Sequence, residues 1–285
     1  MFRNLSPGAI GVKASLAEAV QLTRSAGFEG VDLDIREVTA LVKEGGLSEV
    51  RGLFDQAGIR PGGWGLPVDW RGEEASYRAG LAQLRVFAEV ASRLDARRAS
   101  TWVLPFSDER PFKENFEWHV RRFEPIARIL AEHGCSLGLE FIGPKTSRAK
   151  HRYEFIYTLE GMLELCEAIS TGNVGLLLDS WHWYTSHGTL AELRKLKNRQ
   201  VVYVHINDAP AGIPIDEHVD NVRCLPGETG VIDLKGFLES LKAIGYDGPV
   251  TPEPFSQKLR GMPSLEAAKV TGEALLKVWR SAGLT

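Results

Sequence analysis

Four residues stand where apolar runs stop: Glu140 in SLGLEFIG, Asp179 in VGLLLDSWHW, His205 in VVYVHIND and Glu253 in PVTPEPF. Carboxylates and imidazole are hard or borderline ligands for a divalent cation. Taken singly, a carboxylate after a strand reads as a helix cap or a solvated loop residue. Taken together, three carboxylates converging in a partly desolvated site would repel one another, and a divalent cation is the simplest way to neutralise them. Oxygen-rich ligation with one imidazole suits Mn²⁺, Mg²⁺ or Co²⁺, and Zn²⁺ also fits. His182 follows Asp179 by three positions, between Trp181 and Trp183. Its alternative is a structural histidine packed by aromatic neighbours.

Convergence requires a scaffold that brings four distant segments to one place. Short apolar runs alternate with helical patterns from end to end. The strands are expected at 9–14 (AIGVKA), 30–35 (GVDLDI), 59–67, 97–104, 136–143, 174–183, 201–208 and 249–255. Apolar residues at helical spacing fill the intervals, as in Leu47, Val50, Leu53 and Phe54. The first helix has Ser15 as its expected N-cap and Gly27 just past its end. Strands separated by helices must pair in parallel, because the crossover returns the chain to the same edge. Eight such units predict a single (β/α)8 TIM barrel over 1–285. An open doubly wound sheet would usually carry G-x-G-x-x-G after the first strand, and GVKASLAEA has none. In a parallel barrel the active site lies at the C-terminal strand ends, where the four ligand candidates fall.

Composition narrows the function classes. The chain has 285 residues, 44% hydrophobic and 25% charged, which supplies ample material for one large core. A net charge of -3 with dispersed basic residues gives no footprint for nucleic acid or an anionic membrane. The three cysteines are far apart and not in CxxC spacing, as expected of reduced thiols in the cytoplasm. Exposed barrel helices commonly pair, so a homo-oligomer is possible.

The ordered set GLEFIG, LLLDSWH, VVYVHIND and VTPEPF, with the opening GFEGVDL (27–33), resembles the xylose-isomerase-like TIM-barrel superfamily of sugar phosphate isomerases and epimerases. The resemblance covers essentially the whole chain. It implies that Glu140, Asp179, His205 and Glu253 bind one divalent metal ion, Mn²⁺ foremost. As in the epimerase branch, it implies that Glu140 and Glu253 exchange protons with substrate on either face of a planar enediolate, and that His182, matching the family's Asp-x-x-His, meets a substrate oxygen or lies behind the metal ligands. The expected substrate is a ketose, keto-inositol or related sugar or polyol.

Other residues are placed beside these. Trp102 and Trp183, among aromatics near the strand ends, are expected to wall a sugar-sized pocket. Lys145 and Arg148 follow Glu140 in the cation-rich loop GPKTSRAKHR and are candidates for substrate contact. The long loop 213–230 is read as a lid carrying Arg223. The ketose 3-epimerases place an arginine a few residues after the strand-seven histidine, whereas here NDAPAGIP intervenes. A lyase or dehydratase acting on the same metal site is the alternative, with His182, His151, Lys145 and His218 as candidate acids. A non-catalytic sugar-binding barrel is a third reading. The nuclease branch requires histidines where this chain has Trp64 and Trp102. Asp216-x-His218 nevertheless echoes one of its ligand pairs and leaves a second metal open.

Overall fold

The computed structural model describes residues 1–285 and contains a closed parallel barrel. Its strands are β1 (Phe2–Leu5), β2 (Gly30–Leu33), β3 (Arg60–Gly65), β4 (Arg98–Val103), β5 (Ser136–Phe141), β6 (Val174–Asp179), β7 (Val201–Ile206) and β8 (Pro249–Pro252). They neighbour one another in chain order, and β8 closes on β1. Strands β5 to β7 are almost wholly buried, because helices cover their outer faces while side chains fill the barrel. Two two-residue strands, Phe106–Ser107 and Tyr153–Glu154, pair antiparallel above β4 and β5. The TIM barrel expected from the alternating pattern is therefore the fold.

Local chemistry explains most element boundaries. The helix Leu16–Ser25 starts at Ser15, whose hydroxyl forms a capping box with Glu18. It ends at Gly27, whose φ of 76° suits the left-handed turn. Two expectations need correction. The first strand is FRNL, not 9–14: Gly8–Ile10 is a 3₁₀ turn closed by Gly11 at φ 78°, and Ile10 and Val12 reach the core from a turn and a loop. The second strand stops at Leu33, because the carboxylate of Asp34 accepts the backbone N–H groups of Arg36 and Glu37. That cap opens an additional helix, Ile35–Gly45, which buries Ile35 and Val38.

The barrel interior carries a polar layer below the mouth. Asn4 Nδ2 on β1 donates to Asp32 Oδ1 on β2 at 2.8 Å and to Thr251 Oγ1 on β8 at 2.9 Å. The Tyr203 hydroxyl on β7 donates to Asp32 Oδ2 at 2.7 Å. Tyr203 crosses to the opposite wall, which explains why β3 is broken by glycine. A Cβ at Gly63 would lie 2.5 Å from the Tyr203 ring and 3.0 Å from the Arg98 carbonyl oxygen. We expect Gly63→Ala to destabilise the barrel by about 1–3 kcal/mol, the usual cost of overpacking. Urea unfolding measures this, and an unchanged midpoint would contradict the packing account.

Candidate active site

The strand register assembles the four ligand candidates. Asp179 on β6 lies opposite His205 on β7, and His205 lies opposite Thr251 on β8, two residues before Glu253. Glu140 is the penultimate residue of β5, paired with Trp102 of β4. One ligand atom from each of Glu140, Asp179, His205 and Glu253 lies within 4.8 Å of the others. His205 Nδ1 sits 3.2 Å from Glu140 Oε1, 3.4 Å from Glu253 Oε2 and 4.0 Å from Asp179 Oδ2.

The electrostatics are those of a site short of positive charge. Burial pushes the Glu140 carboxyl up to about 7, despite the neighbouring His205. Burial raises Glu253 as well. At His205 burial opposes protonation, but Glu253 and Glu140 outweigh it and lift the imidazole to about 10. Burial also works against the Asp179 carboxylate, yet the Arg223 charge foremost, with His205 beside it, holds it below the ordinary carboxylate range. Three carboxylates facing one imidazole nitrogen, all four buried or nearly so, form a donor set that fits a divalent cation.

Asp179 does two jobs. Its Oδ1 accepts the Trp181 backbone N–H at 2.8 Å and caps the helix Ser180–Thr185, while Oδ2 faces His205. The helix therefore starts at the strand's last residue, and 180–183 are helical rather than extended. This places His182 over the cavity. The Gly143 backbone N–H donates to His182 Nδ1 at 3.2 Å, while Nε2 lies 3.1 Å from Arg223 Nη2. Both neighbours are donors and a neutral imidazole has one lone pair for the two, so one ring N–H faces a donor. Burial, reinforced by the Arg223 charge, lowers His182 to about 4 and keeps it neutral. The Gly143 contact admits no side chain: a Cβ there would lie 2.1 Å from the His182 carbonyl oxygen.

Arg223 supplies the missing charge from the loop after β7. Its Nη1 donates to Asp179 Oδ2 at 2.7 Å and to Glu253 Oε2 at 2.9 Å, and its Nη2 donates to Asp220 Oδ1 at 2.9 Å. The neighbouring Cys224 is pinned by a two-way backbone pair with Asp208, at 3.1 and 2.9 Å. The Asp208 carboxylate accepts the backbone N–H groups of Ala209, Thr229, Gly230 and Ile232, which fixes the base of the loop. Asn207 ties two ligand strands together: its Nδ2 donates to Asp179 Oδ1 at 3.2 Å, and its Oδ1 accepts the Glu253 backbone N–H at 2.7 Å. Phe255 holds a left-handed φ of 45°, costly for a bulky residue, with its ring 4.7 Å from the Arg223 guanidinium.

A cavity of about 510 Å³ opens above these groups, walled by Trp102, Phe106 and Phe255 and floored by Glu140 and Glu253, with His182 and Arg223 at its side. Among the residues expected to touch substrate, Trp102 and Arg223 line this cavity, and Lys145, Arg148 and Trp183 do not. Lys145 is exposed and pairs with Asp216 at 3.1 Å. Arg148 is folded under its own loop, with Nη1 donating to the Gly143 carbonyl oxygen at 2.8 Å and its guanidinium 3.5 Å from the Tyr157 ring. Trp183 turns into the core against Phe237, since residues 181 and 183 of a helix cannot share the face of 182. Trp64 is also buried, donating to the Ala96 carbonyl oxygen.

Asp216 and His218 do not join a cluster of converging ligand atoms. Asp216 bonds Lys145 and His187, while the His218 ring is buried edge-on against Trp181 and Tyr184. His151 stacks on Phe106 and bonds Asp108. Asn207 and Asp220 belong to the site and were not picked out from sequence. Asn207 follows His205 by two, just past the end of β7, and the strand's alternation carried one step further turns it to the same side, which is the signal that could have found it.

The family model described as xylose isomerase-like TIM barrel matches residues 20–278. The chain belongs to this family. Inosose isomerase of Bacillus velezensis is 24% identical over 92% of this chain and 92% of its own length. The 3-dehydroshikimate dehydratase of Pseudomonas aeruginosa is 33% identical over 90% of this chain, which spans only 38% of that longer protein. Among solved structures, a xylose isomerase domain protein from Alicyclobacillus acidocaldarius superposes with a TM-score of 0.87 at 31% identity, covering 99% of both chains. The IOLI protein, solved with a bound zinc atom, superposes with a TM-score of 0.79 at 21% identity, covering 98% of both. That second likeness is one of fold.

Proposed function

We propose that this protein is a metal-dependent isomerase or epimerase that moves a proton at a carbon next to the carbonyl of a ketose, keto-inositol or related sugar. The observation that carries this reading is the convergence of Glu140, on β5, and Glu253, just past β8, on the same imidazole nitrogen that Asp179 faces. Glu140, Asp179, His205 and Glu253 would hold one divalent ion, Mn²⁺ in our reading. When bound, such an ion supplies a Lewis acid that acidifies the C–H beside a carbonyl and stabilises the resulting oxyanion.

The chain's own residues supply the rest. One of Glu140 and Glu253 takes the proton from carbon and the other returns it on the opposite face of the planar enediolate. Burial raises both carboxyls toward the operating pH, where a base is most useful. Arg223 and His182 hold a substrate oxygen. An acceptor placed between them would relieve the meeting of donors at His182, which supports the assignment. Trp102, Phe106 and Phe255 exclude water from the reactive carbon. The same proton abstraction followed by loss of a β-substituent would make the protein a lyase, and the 33% identity to a dehydratase favours keeping that second reading. We place the protein in the cytoplasm, in keeping with its three unpaired cysteines.

Incubating the Mn²⁺-loaded protein with a panel of ketoses and keto-inositols tests this. An isomer of unchanged mass is the expected product. A product lighter by one water would move the protein to the lyase reading, and inertness toward the whole panel would overturn both.

A further inference from the structure

A second cavity, of about 310 Å³, adjoins the first and shares the walls formed by Leu104 and Phe106. It is set between Trp70 and Trp118 and receives Asn115 and His119 from the helix Phe112–Glu132. His119 is only 4% exposed, yet half of its hydrogen-bonding capacity is unused. Its Nδ1 lies 2.7 Å from the Asn115 carbonyl oxygen, which can only accept, so Nδ1 carries the proton and Nε2 is left as a free acceptor. Burial lowers this histidine to about 4 and keeps it neutral. The ring is fixed by packing, stacked 4.7 Å from Phe155 and edge-on 4.9 Å from Trp118. The Asn115 amide, on a residue 3% exposed, likewise opens on this cavity without a protein partner. Neither group has a protein partner, and both residues line the open space of the cavity, where an incoming ligand can bond them.

The charged groups around this annex are already engaged. Arg71 lies 4.0 Å from the Trp70 ring and 3.8 Å from the Trp102 ring, and it donates to the Trp102 carbonyl oxygen. Arg110 lies over Trp118 and pairs with Glu109 at 3.5 Å. Asp108 accepts from the Arg152 backbone N–H and bonds His151. Two arginines and two carboxylates balance, so what remains for a ligand is a neutral acceptor, an amide and aromatic edges. Those groups suit a hydroxyl-bearing ring with apolar C–H faces.

We propose that this annex is a second subsite that binds a neutral, polyhydroxylated ring joined to the ketose in the main cavity, so that the preferred substrate is a ketose-terminated glycoside. The inference rests on the reading of the main cavity as a ketose site. Hydrogen bonds to His119 Nε2 and Asn115 give the outer ring its affinity, and Phe106 lies between the two rings.

Calorimetric titration of the Mn²⁺-loaded protein with D-fructose and with the ketose disaccharides isomaltulose, turanose, leucrose and maltulose tests this. At least one disaccharide is expected to bind about tenfold more tightly than D-fructose, the worth of two neutral hydrogen bonds. His119→Phe and Asn115→Leu should each remove most of that advantage while leaving D-fructose and Mn²⁺ binding unchanged. Unaltered Mn²⁺ affinity and thermal melting confirm that the variants are folded. A wild-type protein that binds D-fructose and no disaccharide better, or an advantage that survives both substitutions, overturns the subsite. So does a larger gain with fructose 6-phosphate, which would assign the annex to an anion. A protein that binds neither Mn²⁺ nor D-fructose fails at the main site instead, and takes the subsite with it.

Discussion

Glu253→Gln, and separately Glu140→Gln, is expected to slow substrate turnover by about 10²–10⁴-fold at saturating Mn²⁺, the usual contribution of a positioned general base or acid. Glutamine keeps the shape and an oxygen to accept from Arg223 Nη1, which lies 2.9 Å from Glu253 Oε2. What it removes is a group that can take a proton. Both variants should fold, because neither carboxylate caps a helix as Asp179 does. Metal affinity should fall as well, so the comparison is made at saturating metal. Steady-state rates on the identified substrate give the answer, and wild-type turnover in either variant would remove that glutamate from the chemistry.

Arg223→Met should cost roughly 3–5 kcal/mol of stability in metal-free protein, because removing one partner of a buried ion network strands the others. The stranded groups are Asp179 at 2.7 Å, Glu253 at 2.9 Å and Asp220 at 2.9 Å. For a chain of this size that corresponds to a drop of roughly 6–20 °C in melting temperature. Added Mn²⁺ should then raise the variant's melting temperature by more than the wild type's, since the ion takes over charge neutralisation that Arg223 performs otherwise. Calorimetry with and without metal reads both effects. Equal shifts in the two proteins would show that Arg223 and the cation do not act on the same carboxylates.

Strand ends with sharp chemical contrast were legible in the sequence. In GLLLD and VVYVH an apolar run is cut by one polar residue, and the register of β6 against β7 then brings Asp179 opposite His205. The alternation of elements implied a parallel sheet, and eight units without a glycine-rich phosphate turn after the first strand pointed to the barrel rather than an open sheet. Less visible were elements whose cause lies elsewhere in the chain. Phe2–Leu5 is only four residues long and its Asn4 is polar, since it answers Asp32 and Thr251 across the barrel. The apolar stretch at 9–14 has the composition of a strand, but Pro7 and Gly11 turn it into a 3₁₀ turn. The contact residues were harder still. Trp183 and His182 are adjacent in sequence, and only the helix beginning at Ser180 decides which of them faces the cavity. Arg148 spends its charge on Gly143 and Glu154 within its own loop, which no local pattern announces.

The most direct test of the account is deuterium incorporation from D₂O into a recovered ketose or keto-inositol, measured with metal-depleted protein and again after Mn²⁺ is restored. The account predicts exchange at the carbon next to the carbonyl, dependent on the restored metal and lost in Glu140→Gln or Glu253→Gln. Exchange that proceeds equally in the metal-depleted protein, or no exchange by protein holding one Mn²⁺ per chain and binding the sugar, would contradict it.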